Sequence, residues 1–294
     1  MNDSPLFSVL IANYNNGKYL MNAIDSVNAQ TYTNWEIIIV DDASTDNSKE
    51  IYEELKKDGR IHINYNEENK GCGFTKRRCA ELANGEICGF LDPDDMLLPN
   101  ALNVMVGVHL SHPEVSIVYS RCYFCDENYN VIGENKLLVL NEGETYFDYR
   151  WYGALHFASY KNSYYLETEG ISSVIKAGVD QDLYFKVEEV GKPYVLNEFT
   201  YKYVIGKQNS LTHIENYSNL MYWNLEVRRS ACLRRGLDYL MILEKEFKEG
   251  IDSCVSARMS IKKRELIDEI YSSKTYKLGA FIVKPYVLLR KLFQ

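Results

Sequence analysis

The chain has 294 residues, enough for one large α/β domain with an appendage and a substantial core. Hydrophobic and charged fractions of 46% and 25% are those of an ordinary globular protein, and a net charge of −8 argues against a general nucleic-acid binder, which needs a basic face. Seven cysteines, an odd number, point to reduced thiols in a cytosol rather than a disulfide framework.

The first apolar run, Phe7–Ile11, comes almost at once, with no basic segment and cleavage site before it, so no secretory leader is expected. The run breaks at Asn13-Tyr14-Asn15-Asn16-Gly17. A helix follows, with Leu20, Ala23, Ile24 and Val27 on one face. Glu36–Val40 is the second strand, stopped by Asp41-Asp42, and Ser48–Lys57 is a helix opened by the capping residues Ser44, Thr45 and Asp46. A third strand at Ile61–Tyr65, a helix from Phe74 to Ala83 and a strand at Ile87–Leu91 complete the series. Alternation of this kind predicts an α/β fold with a mostly parallel sheet flanked by helices. From Pro99 the rhythm changes. A helix is expected over Ala101–Leu110, and strands over Val115–Ser120 and Val131–Leu140 are joined by a turn at Asp126–Tyr129. Tyr146–Gly170 is aromatic and loop-like, a helix runs from Asp182 to Glu189, and the chain beyond His213 is helical. No stretch reaches the roughly 18 apolar residues that span a bilayer. The pair Cys122 and Cys125 has no partner pair at zinc-ribbon spacing, so these are strand residues that happen to be cysteine.

Three strand ends carry polar clusters: Asn13-Tyr14-Asn15, Asp41 through Asp46, and Asp92-Pro93-Asp94-Asp95. In open sheets ligands gather beyond the carboxyl ends of strands, and hard carboxylate oxygens suit Mg or Mn. An Asp-rich turn that merely caps the next helix is the competing reading. A tyrosine ring can stack on a base, and carboxylates can bridge a metal to a diphosphate. There is no G-x-G-x-x-G and no G-x-x-x-x-G-K-S/T, so neither a dinucleotide fold nor a P-loop is supported.

Ser8 to Asn15, with Leu20, Ser26 and Gln30, resembles the opening of family 2 glycosyltransferases of the GT-A fold. Val40 to Asp46 is similar to that family's "VDDgStD", Asn69–Glu86 to its "N.G.s.aRN.g...a.GeyI", and Leu91 to Asp95 to its "LDsDD". The likeness is dense over residues 6 to 100 and thinner to about 213. It implies a GT-A catalytic domain over 1–215, with a nucleotide-binding half (1–98) and an acceptor half (99–215), followed by a helical C-terminal extension at 216–294. It implies that Asp41 contacts the base of a nucleotide-sugar, best a UDP-sugar, with Tyr14 and the Ala12 backbone lining that pocket. Asp94 and Asp95 would sit at the ribose and the metal, Asp95 carrying Mn or Mg onto the diphosphate, and Asp92 would orient the loop or the donor sugar. Asp42 and Asp46 would do turn-forming and capping work.

The family's Arg-Asn falls here on Lys76-Arg77, which keeps positive charge near the nucleotide without arginine's bidentate geometry. Gly178 to Tyr184 resembles the "EDxdLwlr" motif, whose aspartate is the base of inverting members. Asp180 aligns with it, while Val179 replaces the glutamate. A carboxylate there can take the proton of an attacking acceptor hydroxyl. Asp182 is the alternative base, or a residue that complements the helix dipole. His213 lies where relatives close a polar loop over the diphosphate. The Q-x-x-R-W signature of processive synthases is absent, so transfer of one sugar per encounter is expected.

Residues 257–294 carry nine lysines and arginines against three acids, interleaved with apolar residues such as Phe281, Leu288 and Phe293. Such a segment can lie on an anionic membrane surface, or pack its apolar side on the catalytic domain. A cytoplasmic enzyme peripheral to the inner face of the membrane, acting on a glycan or lipid-linked acceptor in cell-surface polysaccharide assembly, fits both the tail and the resemblance. Two rivals stay open. A sugar-1-phosphate nucleotidyltransferase would carry a glycine-rich loop ending in a basic residue after the first strand, where this chain has Asn-Tyr-Asn-Asn. A non-catalytic nucleotide-sugar-binding protein at the membrane is the other, and the Val179 and Lys76 departures leave room for it.

Overall fold

The first, second and fourth strands are short apolar runs, buried because they lie inside a sheet covered on both faces, whereas the third, at the sheet edge, buries only Ile61. The computed structural model describes residues 4–149, 155–206, 217–245 and 248. The chain divides into two units, Met1–Val227 and Arg228–Gln294, and the site described below lies within the first. Strands β1 (Phe7–Asn13), β2 (Trp35–Asp41), β3 (Ile61–Tyr65) and β4 (Ile87–Phe90) pair in parallel in the order β3-β2-β1-β4. Helices α1 (Gly17–Asn28), α2 (Ser48–Leu55) and α3 (Cys72–Leu82) connect them.

The stripe Leu20, Ala23, Ile24 and Val27 of α1 is fully buried. It packs in one core with Phe7, Val9, Ile11, Ile37 and Ile39, together with Leu102 and Met105 of α4 (Ala101–Ser111). By strand alternation Leu10, Ile38 and Val40 face the other side of the sheet, and α3 packs against β1 and β2.

Register decides where the polar clusters fall. Asn13 pairs with Asp41 at the ends of β1 and β2, and Asp41 pairs with Tyr65 at the end of β3. β4 stops opposite Leu10, and Leu91 continues the pairing by donating to the Leu10 carbonyl at 3.0 Å. The turn that begins at Asp92 therefore emerges on the same edge as Asn13 and Asp41.

The second half departs from the expected elements. The aromatic segment expected as loop contains a 3-10 turn (Tyr146–Asp148), strand β8 (Ala158–Lys161) and helix α5 (Asn162–Leu166). β8 lies in the middle of the sheet, antiparallel to both β4 and β6 (Val115–Cys125). Its four residues are all buried, so they show no alternation to read. A 13-residue strand, β9 (Lys192–Val204), had no sequence counterpart. It runs parallel to β6 with breaks in register, and antiparallel to the two-residue β5 (Met96–Leu97). β7 is Val131–Glu134 rather than Val131–Leu140. Its ladder with β6 ends where the Asn135 side chain accepts from Cys122 N at 3.0 Å. Helix α6 (Val179–Val190) begins three residues before the expected start, and α7 (Tyr217–Arg234) follows β9. Among the described residues the sheet has nine strands, ordered β3-β2-β1-β4-β8-β6-β9-β5 with β7 beside β6. His213 and residues 257–294 lie outside the described residues. Cys122 and Cys125 are buried free thiols of β6.

His109 on α4 is fully buried, 3.0 Å from the Ser159 hydroxyl of β8. Burial, and then the Lys161 ammonium, pull its pKa down to about 3. The imidazole is therefore neutral in the folded protein at pH values where the unfolded chain binds a proton. Its contribution to stability is complete above the unfolded value of 6.5 and is lost as pH falls from there toward 3. Urea unfolding should show stability dropping by about 1.4 kcal/mol per pH unit from this group between pH 6 and 4. His109→Gln should flatten the profile by that slope, and an unchanged slope would contradict the assignment.

Candidate active site

The edge where β1, β2 and β4 end gathers the acids that the sequence singles out, but burial sorts them into two kinds. Asp41 is fully buried. Its Oδ2 accepts from Tyr52 OH at 2.7 Å and from Asn13 Nδ2 at 3.4 Å, and its Oδ1 accepts from Ser44 N at 2.8 Å. Asn13 Nδ2 also donates to Tyr52 OH and Ser48 Oγ, at 2.8 and 3.0 Å. Burial, and next the bond to Asp41, raise the Tyr52 pKa far above that of a free phenol, so Tyr52 remains the donor. Asp42 is buried too. Its Oδ1 accepts from Asn66 Nδ2 and Lys70 N at 2.7 and 2.8 Å, and its Oδ2 from Gly71 N at 2.8 Å, which pins the segment leading into α3. Asp46 accepts from Gly17 N and Ser48 N and thereby caps both α1 and α2. Tyr14 stands exposed just beyond β1, with Ala12 half-buried behind it.

In the Asp92–Asp95 turn, Asp95 is buried and tied to β9: Val204 N donates to its Oδ1 at 2.8 Å, and Tyr201 OH to its Oδ2 at 2.9 Å. Burial, then the charges of Asp94 and Asp92, hold Asp95 well above the usual carboxylate range, against the effect of those two hydrogen bonds. The Tyr201 hydroxyl also accepts from Asp92 N at 3.2 Å. Asp94 is half-buried, and Tyr129 OH of the β6–β7 turn donates to its carbonyl at 3.4 Å.

Asp180 lies in the first turn of α6, which opens at Gly178 with φ +71°, a left-handed conformation that favours glycine. Its carboxylate is 29% exposed and meets Lys76 Nζ at 2.7 Å. The same ammonium reaches Asp92 Oδ1 at 3.1 Å, and Asp92 is 30% exposed. Lys76 itself is 5% exposed. Burial opposes its charge, but Asp180 and Asp92 outweigh burial and hold its pKa well above the ordinary lysine value. Asp182, the other acid of this turn, is turned inward, accepting from Ser172 N and Lys186 Nζ, both at 2.8 Å.

Arg77, expected beside the nucleotide, points elsewhere. Its Nε pairs with Glu81 at 2.8 Å, and its NH1 donates to the carbonyls of Glu169 and Ile171 at 3.2 and 3.1 Å. Asn13, Tyr52, Tyr201 and Tyr129 are site residues that sequence reasoning did not assign. Only Asn13 carried a signal, its place at the end of the first strand.

Among the described residues no group of three or more His, Cys, Asp or Glu side chains forms a metal cage. Asp94 and Asp95 nonetheless fit a hard divalent cation. They are oxygen donors, each Asp95 oxygen keeps lone-pair capacity beyond its one bond, and Mg-type ions use one or two carboxylates together with substrate phosphates.

Comparison with known proteins agrees with this architecture. The family model for glycosyl transferase family 2 matches residues 8–168. Chondroitin synthase of Escherichia coli is 30% identical over 212 residues, which are 70% of this chain and 30% of that protein. TarS of S. aureus, crystallised with UDP, superposes with a TM-score of 0.60 at 19% identity, over 75% of this chain and 64% of that one. The mannosyltransferase PcManGT of Pyrobaculum calidifontis, solved with GDP-Man and Mn2+, gives 0.59 at 14% identity, over 98% and 86%. The chain belongs to glycosyl transferase family 2, and it is a glycosyltransferase with the GT-A fold.

Ala43 directly follows the inward-turned aspartates Asp41 and Asp42 with φ +62°, where the family pattern has glycine. A left-handed alanine is strained, and glycine is not. Ala43→Gly should raise unfolding stability by ~0.5–1 kcal/mol, the relief of strain less the entropy glycine adds to the unfolded chain. A loss of stability on denaturant unfolding would show that this turn does not hold the left-handed conformation.

Proposed function

We propose that this enzyme moves a single sugar from a nucleoside-diphosphate sugar, best a UDP-sugar, to an acceptor hydroxyl by one inverting, metal-dependent displacement. The observation that carries this reading is the partly exposed Asp180 carboxylate, set beside the Asp92 turn at the edge where the polar strand ends meet. The acceptor oxygen attacks the anomeric carbon, and its proton passes to Asp180. The bond from that carbon to the β-phosphate oxygen breaks, and the nucleoside diphosphate leaves from the opposite face. Asp180 is favoured over Asp182 because the latter is 1% exposed and spends its Oδ2 on Ser172 and Lys186.

The exposed ring of Tyr14 and the Ala12 backbone would line the pocket of the base, while the direct contact expected of Asp41 gives way to a role in bracing that turn, because its buried carboxylate already accepts from Tyr52, Asn13 and Ser44. Asp94 and Asp95 would hold the Mn or Mg ion, which when bound neutralises the diphosphate of the donor. TarS with UDP and PcManGT with GDP-Man and Mn2+ support a nucleotide-sugar donor and a metal. The chondroitin synthase relative supports a role in polysaccharide or glycan assembly. A glycan or lipid-linked acceptor and a place at the inner face of the membrane belong to the same proposal. Among the described residues no helix is long and apolar enough to cross a membrane.

Asp180→Asn should lower turnover by about 10²–10⁴-fold, the range for loss of a general base, while binding of UDP with Mn measured by calorimetry stays unchanged. Wild-type turnover in this variant would refute the assignment. Chelation with EDTA should abolish both nucleotide-sugar binding and release of nucleoside diphosphate, and added Mn or Mg should restore them. Full turnover in EDTA would remove the metal from the mechanism.

A further inference from the structure

Lysine replaces the family's arginine at position 76, and the simplest expectation puts its charge on the leaving diphosphate. The surroundings of the ammonium say otherwise. Lys76 Nζ is buried within 2.7 Å of Asp180 and 3.1 Å of Asp92, and it lies 5.1 Å from the centre of the Phe90 ring. Two carboxylates already neutralise this one cation, and moving it to a phosphate would break both ion pairs.

The rest of α3 serves the same end. Gly73 N donates to the Ile175 carbonyl at 3.0 Å, and a Cβ on Gly73 would stand 2.3 Å from that oxygen and 2.6 Å from the Ser172 carbonyl. Arg77 holds the carbonyls of Glu169 and Ile171 one turn further along. Gly73, Lys76 and Arg77 thus grip in succession the segment that leads into α6 and the acid in its first turn.

We infer that Lys76 is a positioning residue for Asp180: its ammonium fixes the base carboxylate against the Asp92 turn instead of binding the donor's diphosphate. The inference rests on the reading of Asp180 as the base. Because Asp92 belongs to the donor turn, Lys76 joins the donor and acceptor sides of the reaction through one shared cation. A lysine can do this as a point charge between two carboxylates, with no need of a guanidinium's flat fork.

The test separates binding from turnover. Lys76→Gln keeps a hydrogen-bonding side chain of similar reach and removes the charge. UDP affinity in the presence of Mn is measured by calorimetry, and kcat by release of nucleoside diphosphate from the nucleotide sugar, with water as acceptor where no other is supplied. The expected result is unchanged UDP affinity with kcat lowered about 100-fold, as for a misplaced reacting group, and recovery of most of that loss in Lys76→Arg. Weakened UDP affinity with kcat retained would overturn the inference and return Lys76 to the diphosphate. Should Lys76→Gln not fold, Lys76→Met, which also removes the charge and suits a buried position, carries the same comparison: a fall in kcat at constant UDP affinity supports the inference, and a fall in affinity at constant kcat overturns it. Asp180→Asn measured alongside separates the two failures. Turnover surviving in Asp180→Asn defeats the base assignment itself, whereas its loss together with a pure affinity effect at Lys76 defeats only the positioning role.

Discussion

A buried ammonium must be paired, and that requirement ties this site together. Lys76 comes from the middle of α3, Asp92 from the turn after β4 and Asp180 from the start of α6, yet the three charged groups meet within 3.1 Å of the ammonium. Leaving the lysine without either carboxylate would place an uncompensated charge among buried groups, at a cost of several kcal/mol. The two acids reach it while about a third of each side chain stays open to solvent. The arrangement that neutralises the lysine therefore also leaves two carboxylates facing the place where donor and acceptor would meet.

Burial divides the other acids by the same logic. Asp41, Asp42 and Asp182 have carboxylates turned inward onto backbone N–H groups or buried side chains, and they shape the turns around the site. Asp92, Asp94 and Asp180 keep part of their surface exposed. Asp95 stands between the two groups, locked to β9 by Val204 and Tyr201 yet adjacent to Asp94. That lock explains why β9 matters to a site built on the ends of β1, β2 and β4. Its pairing with β5 fixes the residues that directly follow the acid turn.

The first hundred residues were legible because β1, β2 and β4 are apolar runs of ordinary length and β3 sets Ile61 and Ile63 at alternate positions, with polar turns and helical stripes between the strands. Leu20, Ala23, Ile24 and Val27 lie where their spacing puts them. β8 was not legible, since four buried residues that include Ser159 and Lys161 have neither a hydrophobic run nor an alternation. Lys161 is tolerated there only because the carbonyls of His112 and Pro113 take its ammonium at 3.0 and 2.7 Å. β9 was hidden by Pro193 near its start and by Asn197-Glu198 at its irregular centre, where the register with β6 slips. At the site, the motifs located the acids but not their partners. Nothing local to Lys76 says that residues 92 and 180 will meet it, and nothing local to Asp41 says that its carboxylate will be spent on Tyr52 and Ser44. Long-range pairing of this kind is set by topology, which short motifs do not encode.

The most direct examination of this arrangement is a crystal structure of the protein with UDP and Mn bound. The expected result has the diphosphate and metal at the Asp94–Asp95 turn, the uracil against Tyr14, and Lys76 still within hydrogen-bond distance of both Asp92 and Asp180. A Lys76 ammonium moved onto the β-phosphate, with Asp180 released from it, would contradict the central claim that this buried cation holds the base.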